Sequence, residues 1–278
     1  MENISLLLKT LIVGIAYVLT VITTAIFGKI LGAVPPVNEF NFLEILVLLF
    51  VGGTLIASVM IPIQSIPVKS RERFLVNFLV IYMLSYLIGA PEIAIYTNYE
   101  INYQLFLLLE QFFVGFTIAS LITILFKPKE VNSKISVEIK RYFLSRGRKD
   151  WIFRFSLTSL LFPPIYFFFG YIFTPITASY YINSPLGLKI PEIGVIIPIE
   201  ILRGFIYNLT FIPLLALLKM QILRLGFYFS LLLAVIGAIV PLMVAVTWPL
   251  ELRFGHAIEM TLDSFAQGFM ISLLLHKN

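Results

Sequence analysis

Residues 226–248 read GFYFSLLLAVIGAIVPLMVAVTW, twenty-three positions without one Asp, Glu, Lys, Arg or His. At about 1.5 Å per helical residue the run reaches about 34 Å, enough to cross a hydrocarbon core of about 30 Å. On either side, seven further apolar runs lie between charged or Pro- and Asn-rich breaks, near residues 5–28, 43–65, 74–91, 103–126, 152–174, 193–218 and 254–275. The composition agrees: 59% of the 278 residues are hydrophobic and 13% charged, with a mean hydropathy of +0.98. A soluble domain carries about 45–50% apolar and about 25% charged residues. A water-soluble enzyme is therefore excluded, and the pattern predicts an all-α, polytopic integral membrane protein with eight transmembrane helices. The absence of cysteine excludes disulfides, thiolate nucleophiles and sulfur-ligated metals. The first run is too long for a cleavable signal peptide and no small-residue cleavage site follows it, so it is expected to be retained.

Lys and Arg set the expected orientation, because they stay on the cytoplasmic side. The loop 66–73 holds Lys69, Arg71 and Arg73. The stretch 127–154 holds Lys127, Lys129, Lys134, Lys140, Arg141, Arg146, Arg148, Lys149 and Arg154, and Lys219, Arg224 and Lys277 fall on the same side. The opposite loops carry Lys189 and the span-edge Lys29 against Glu39, Glu92, Glu100, Glu192 and Glu251. An even number of spans then puts both termini in the cytoplasm of a cell membrane. The net charge of +5 is a topology signal, and no nucleic-acid partner is expected. Within the long basic connection, Ile135, Ile139, Tyr142 and Phe143 share a face if 134–145 is helical. That suits a helix in the headgroup layer; a solvated linker is the other reading.

The chain resembles itself. LEQFFVGFTI at 109–118 aligns with LDSFAQGFMI at 262–271, keeping Leu, an acid, Phe, Gly-Phe and Ile in register. Shorter echoes fall in the same order: Phe27-Gly28 with Phe169-Gly170, Glu44-Ile45-Leu46 with Glu200-Ile201-Leu202, and Ile88-Gly89-Ala90 with Ile236-Gly237-Ala238. The expected organisation is two parallel four-helix repeats, 1–127 and 151–278, joined by a basic linker at 128–150. Such halves are related by an axis along the membrane normal and commonly enclose a site. By this alignment Arg203 and His256 correspond to about Val47 and Tyr103, so the first half keeps an acid and lacks the cations.

Charges within spans are the informative residues. Glu110, Glu200, Arg203, Glu259 and Asp263 lie in apolar segments, and Arg253 and His256 lie where the last span begins. Each ionised group at a helix centre costs about 2.5–3.5 kcal/mol on insertion, roughly 15 kcal/mol for five, so they must be paired, hydrated or neutralised. At about 100° per residue, Arg253, His256, Glu259, Asp263 and Gln267 fall within roughly 120° of one another on the eighth span. Glu200, Arg203, Tyr207 and Thr210 fall within roughly 80° on the sixth. Tyr103, Glu110 and Thr117 share one side of the fourth. The expected substrate- or ion-binding group is thus Glu110, Glu200, Arg203, Arg253, His256, Glu259, Asp263 and Gln267, converging from three helices in a site that opens outward. Four carboxylates against two arginines leave two surplus negative charges, which protons or a bound cation would balance.

These residues fit a transporter or permease in which Glu259, Asp263 and His256 couple to protons or ions while Arg203 and Arg253 hold an anionic group or gate. Gly28, Gly115, Gly237 and Gly268, with Pro163, Pro164, Pro198, Pro213 and Pro241, are candidate helix breaks. Two other readings stand beside this one. The buried charges of an accessory subunit could be interhelical salt bridges, and His256-x-x-Glu259 could serve as a base and its partner in an intramembrane enzyme acting on a lipid-like substrate. Glu200-x-x-Arg203-Gly204 resembles the glutamate–arginine signature of the CAAX-protease family. The doubled Glu of that family is absent, as is a second intramembrane His, and His276 in the tail is too far from His256 to share a metal, so the assignment is set aside. No phosphate-binding loop, His-Glu-x-x-His pattern or calcium loop occurs, so no cofactor or metal is expected. The expected partners are the lipid bilayer, a small ion or small-molecule substrate, and either a second copy or a membrane-complex subunit.

Overall fold

A computed structural model describes residues 5–30, 32–33, 41–128, 131–182 and 186–277. Glu39 and Lys129, counted above among the loop charges, lie outside the described residues. All regular structure among the described residues is helical, and eight segments are long and apolar enough to cross a membrane: Leu6–Ile30, Phe42–Ser65, Ser70–Tyr96, Ile101–Leu125, Arg148–Tyr180, Ile193–Leu217, Ile222–Val244 and Leu250–Leu275. The protein is a multi-pass integral membrane protein.

Six spans are built on single long helices: α1 (Leu6–Ile30), α2 (Phe42–Val59), α5 (Ile101–Leu125), α7 (Arg148–Thr177), α8 (Ile193–Leu217) and α11 (Leu250–Leu275). Asn41 starts α2, its side-chain oxygen accepting from the backbone N–H groups of Leu43 and Glu44. The third and seventh spans are interrupted. In the third, α3 (Ser70–Tyr82) runs into a π-turn at Met83–Leu87 and resumes as α4 (Ala90–Tyr96); in the seventh, α9 (Ile222–Leu232) passes through a π-segment at Leu233–Ile239 into α10 (Val240–Val244). Both resumed helices carry a proline as their second residue, Pro91 and Pro241. Proline lacks the N–H of the regular ladder and crowds the carbonyl four residues back, and a wider i→i+5 turn absorbs the fault. The Ile88 N–H donates to Met83 O at 3.0 Å.

Pro163, Pro164, Pro198 and Pro213 do not break their spans, contrary to the sequence expectation: they lie inside continuous α7 and α8. Their fixed φ is a helical one, and a freed carbonyl is tolerated where neighbouring helices bury it. Of the prolines expected to break a helix, only Pro241 stands at an interruption.

α1 packs on α2 and α5, and α3 on α5; α7 packs on α8 and α11, and α9 on α11. The second span meets the seventh, the third meets the sixth, and the two π-segments touch. Close approach depends on missing side chains, since lipid supplies no hydrophobic drive between helices. A Cβ on Gly268 would collide with the backbone of Ser230, and one on Gly53 would stand 2.5 Å from Tyr17 Cβ. Large apolar residues such as Leu19, Phe112, Phe168 and Leu202 stay on the outer surface, as a lipid-facing belt requires.

The basic linker is helical at α6 (Ile135–Leu144) and packs against α8. It docks on the end of α11. The Tyr142 hydroxyl donates to Leu275 O at 2.8 Å and Arg146 Nη2 to His276 O at 2.6 Å, while Arg154 Nη1, from the first turns of α7, donates to Leu274 O at 2.8 Å. Carbonyls that a helix end leaves orphaned thus meet cations, which the helix dipole also favours. Arg73, counted above as a loop charge, is fully buried, with Nη2 donating to Thr123 O near the end of α5. At the opposite end of the bundle the loop after α4 is tied to the loop before α8, with Asn98 N donating to Gly187 O and Lys189 N to Tyr96 O.

Candidate functional site

Beneath that tie lies a cavity of about 290 Å³, walled by the third, fifth, sixth, seventh and eighth spans. Its position follows from the break in the third span. Resuming at Ala90, α4 carries Glu92 and Tyr96 against α8. Arg203 there is held by two carboxylates, Glu92 Oε2 at 2.8 Å from Nη2 and Glu200 Oε2 at 2.7 Å from Nη1, while Nε donates to Ile88 O. The Phe162 and Tyr166 rings face the guanidinium at 5.5 and 6.0 Å. Glu200 is fully buried, and its Oε1 has no partner among the described residues.

A second polar group runs down α11. His256 Nδ1 lies 2.9 Å from Glu259 Oε2, and the Tyr181 hydroxyl lies 2.9 Å from His256 Nε2. Tyr181 follows the fifth span, and burial pushes its phenol well above the ordinary range, with the charges of Glu92 and Glu259 adding to the effect. Because a carboxylate only accepts, the proton of a neutral imidazole in this hydrogen-bonded chain sits on Nδ1, aimed at Glu259, and Nε2 accepts from the Tyr181 hydroxyl. Gly170 makes room for this carboxylate, because a Cβ there would come within 3.3 Å of Glu259 Oε1. One and two turns further in stand Asp263 and Gln267. Asp263 Oδ1 and both amide atoms of Gln267 are buried without partners among the described residues. From His256 to Gln267 the column covers about 16 Å of helix.

Glu200, Arg203, His256, Glu259, Asp263 and Gln267 are thus brought to one region. Arg253 and Glu110 are not. Arg253 points to the end of the seventh span, with Nη1 3.3 Å from Met243 O, and does not line the cavity. Glu110 faces a different cavity and accepts from the Thr24 hydroxyl at 3.2 Å. A helical wheel gives the face of a residue on its own helix, but not which neighbour that face meets.

Sequence reasoning missed Glu92, Tyr96, Tyr166 and Tyr181. Hydropathy ends the third span near Pro91, which makes Glu92 look like a loop acid. The available signal was local: Ala90-Pro91-Glu92 places proline at the first turn with an acid beside it, the mark of a helix start. With Glu92 gained and Arg253 and Glu110 elsewhere, the region carries four carboxylates, those of Glu92, Glu200, Glu259 and Asp263, against Arg203. That is a surplus of three negative charges when all are ionised and His256 is neutral. Among the described residues, no three His, Asp or Glu groups are gathered so as to hold a metal ion.

These features define the class, a polytopic α-helical membrane protein with a buried, charged cavity near one end of the helix bundle. Comparison with protein-family models, curated proteins and solved structures returns no match.

Proposed function

We propose that the protein is a membrane transporter of the permease type, with the α8–α11 cavity as a substrate and coupling site that opens on the extracytoplasmic side. The observation that carries this reading is the set of buried polar atoms on the cavity wall that lack partners among the described residues, Asp263 Oδ1 and the Gln267 amide, together with Glu200 Oε1 on the carboxylate paired to the wall residue Arg203. A purely structural network of salt bridges gains nothing from unpaired atoms, each of which costs about 1–3 kcal/mol. A transport site needs them, since they are what a hydrated substrate or ion exchanges its water for. The surplus of carboxylates calls for balancing protons or cations, which supplies the coupling.

In this reading the protein has two four-helix halves, residues 1–127 and 151–278, with the linker and both termini in the cytoplasm. Recurring close contacts support it. Gly115 against Tyr82 is repeated by Gly268 against Ser230, Gly28 against Phe106 by Gly170 against Glu259, and Gly53 against Tyr17 by Gly204 against Ser159. In that register Arg203 corresponds to Gly52 instead of Val47, and Glu200 to Leu49 instead of Glu44. The two interrupted spans are partners as well, which puts a break on each side of the axis where halves of a transporter rock against one another.

The test is substrate-induced proton movement in proteoliposomes loaded with a pH-sensitive dye and challenged with pools of amino acids, sugars, organic acids and inorganic ions. At least one pool moves protons, and the Glu259→Gln/Asp263→Asn double variant loses the response at least tenfold. An unchanged response in that variant overturns the reading. The hydrogen-bonded chain Tyr181–His256–Glu259 favours a second one, an intramembrane hydrolase of lipid-like substrates with His256 as base. Release of a cleaved product from a labelled membrane lipid extract, lost on His256→Gln, distinguishes it.

A further inference from the structure

A second cavity, of about 420 Å³, is bounded by α1, α2 and α5 where the first is bounded by α7, α8 and α11; Ser85, Tyr86, Tyr99 and Trp248 border both. Its chemistry is different. Glu110 is the only charged residue among those lining it, and no Lys, Arg or His pairs with this carboxylate among the described residues. Around it stand five aromatic rings, Tyr17, Tyr86, Tyr99, Tyr103 and Trp248, and most of the remaining wall is aliphatic. The volume falls in the range of small-molecule sites, about 300–1,000 Å³.

We propose that this cavity binds a monovalent organic ammonium, its charge against Glu110 and its apolar body among the aromatic rings. An anion finds no cation here. A hard divalent cation needs six or more oxygen ligands, and Glu110, Gln111, Ser85 and Thr247 are a poor set on a largely apolar wall. An organic ammonium needs one counter-charge and a large apolar surface, and it is further held by the negative faces of Trp and Tyr rings. Its arrival also neutralises a carboxylate that is otherwise costly at this depth. Under the two-half reading, Tyr103, Glu110 and Val114 occupy the positions of His256, Asp263 and Gln267, so this would be the same wall with its other polar groups removed. That correspondence rests on the two-half reading; the binding argument does not.

The experiment measures equilibrium dialysis of labelled benzyltrimethylammonium and of its uncharged carbon isostere, neopentylbenzene, against the full chain in dodecyl maltoside. Empty micelles are the reference. The cation binds saturably and at least tenfold more tightly than the isostere, a comparison that needs no variant. Glu110→Gln lowers its affinity at least tenfold and leaves the isostere unchanged, while Asp263→Asn leaves both unchanged, which separates this site from the transport reading. Equal affinities for the two probes, the result of a cavity that takes only an acyl chain, overturn the proposal. So does cation binding that survives Glu110→Gln but is lost on Asp263→Asn, or no saturable binding of the cation.

Discussion

Arg203 on α8 lies 2.8 Å from Glu92 on α4, so an ion pair spans the gap between the sixth span and the far side of the third span's break. With Glu200 on its other side, Arg203 holds two carboxylates of unlike exposure: the Glu200 side chain is 0% exposed and that of Glu92 is 23% exposed. Removing the cation therefore strands one charge in the interior and leaves the other access to water.

Arg203→Met is expected to lower stability by about 3–5 kcal/mol, the cost of breaking one partner from a buried pair. Glu200→Gln combined with Arg203→Met removes the stranded charge and recovers much of the loss. Denaturant unfolding in detergent, followed by circular dichroism, measures both. A double variant no more stable than the single one contradicts the assignment.

Gly268→Ala puts a methyl into the backbone of Ser230, where α11 and α9 touch, and overpacking of this kind costs about 1–3 kcal/mol. Gly194, in the first turn of α8, has nothing within 4 Å of its virtual Cβ. Ala at that position is expected to be neutral or stabilising by up to about 1 kcal/mol, from helix propensity. Paired melting curves of the two variants decide it, and equal effects refute the packing argument.

Tyr142 anchors α6 to Leu275 O, and Tyr142→Phe is expected to cost about 1 kcal/mol at about pH 8. Burial pushes this phenol above its ordinary range, against the opposing effect of Arg146. The folded protein thus holds the proton more tightly than the unfolded chain. The contribution is intact below about pH 10 and falls away as pH rises from there towards the higher folded value. The stability gap between the unaltered protein and Tyr142→Phe should accordingly narrow above about pH 10. A gap constant across that range refutes the linkage.

The chain contains no cysteine, so single introduced thiols report orientation without background. Asn98→Cys and Lys189→Cys, both at exposed loop positions, should react with a membrane-impermeant maleimide added to intact cells. Arg148→Cys should react only after permeabilisation. The reverse pattern inverts the proposed topology.

All eight spans could be read from the chain because insertion into lipid sums over one segment at a time, and residues 226–248 need no partner to be apolar. Boundaries were less legible where a helix is interrupted: hydropathy stops the third span near Pro91, whereas the π-turn carries it on to Tyr96. Arg73 shows the same limit at the other face. It looks like a loop charge and is buried against α5.

Residue order set which side chains share a face, and so it grouped His256, Glu259, Asp263 and Gln267 on α11 and Glu200 with Arg203 on α8. Packing in three dimensions chose their company: Glu92 joined them, while Glu110 and Arg253 turned elsewhere. The reason is physical. The periodicity of a helix is local, but the rotation of one helix against another is fixed by contacts such as Gly268 with Ser230 and Gly204 with Ser159, between residues dozens of positions apart.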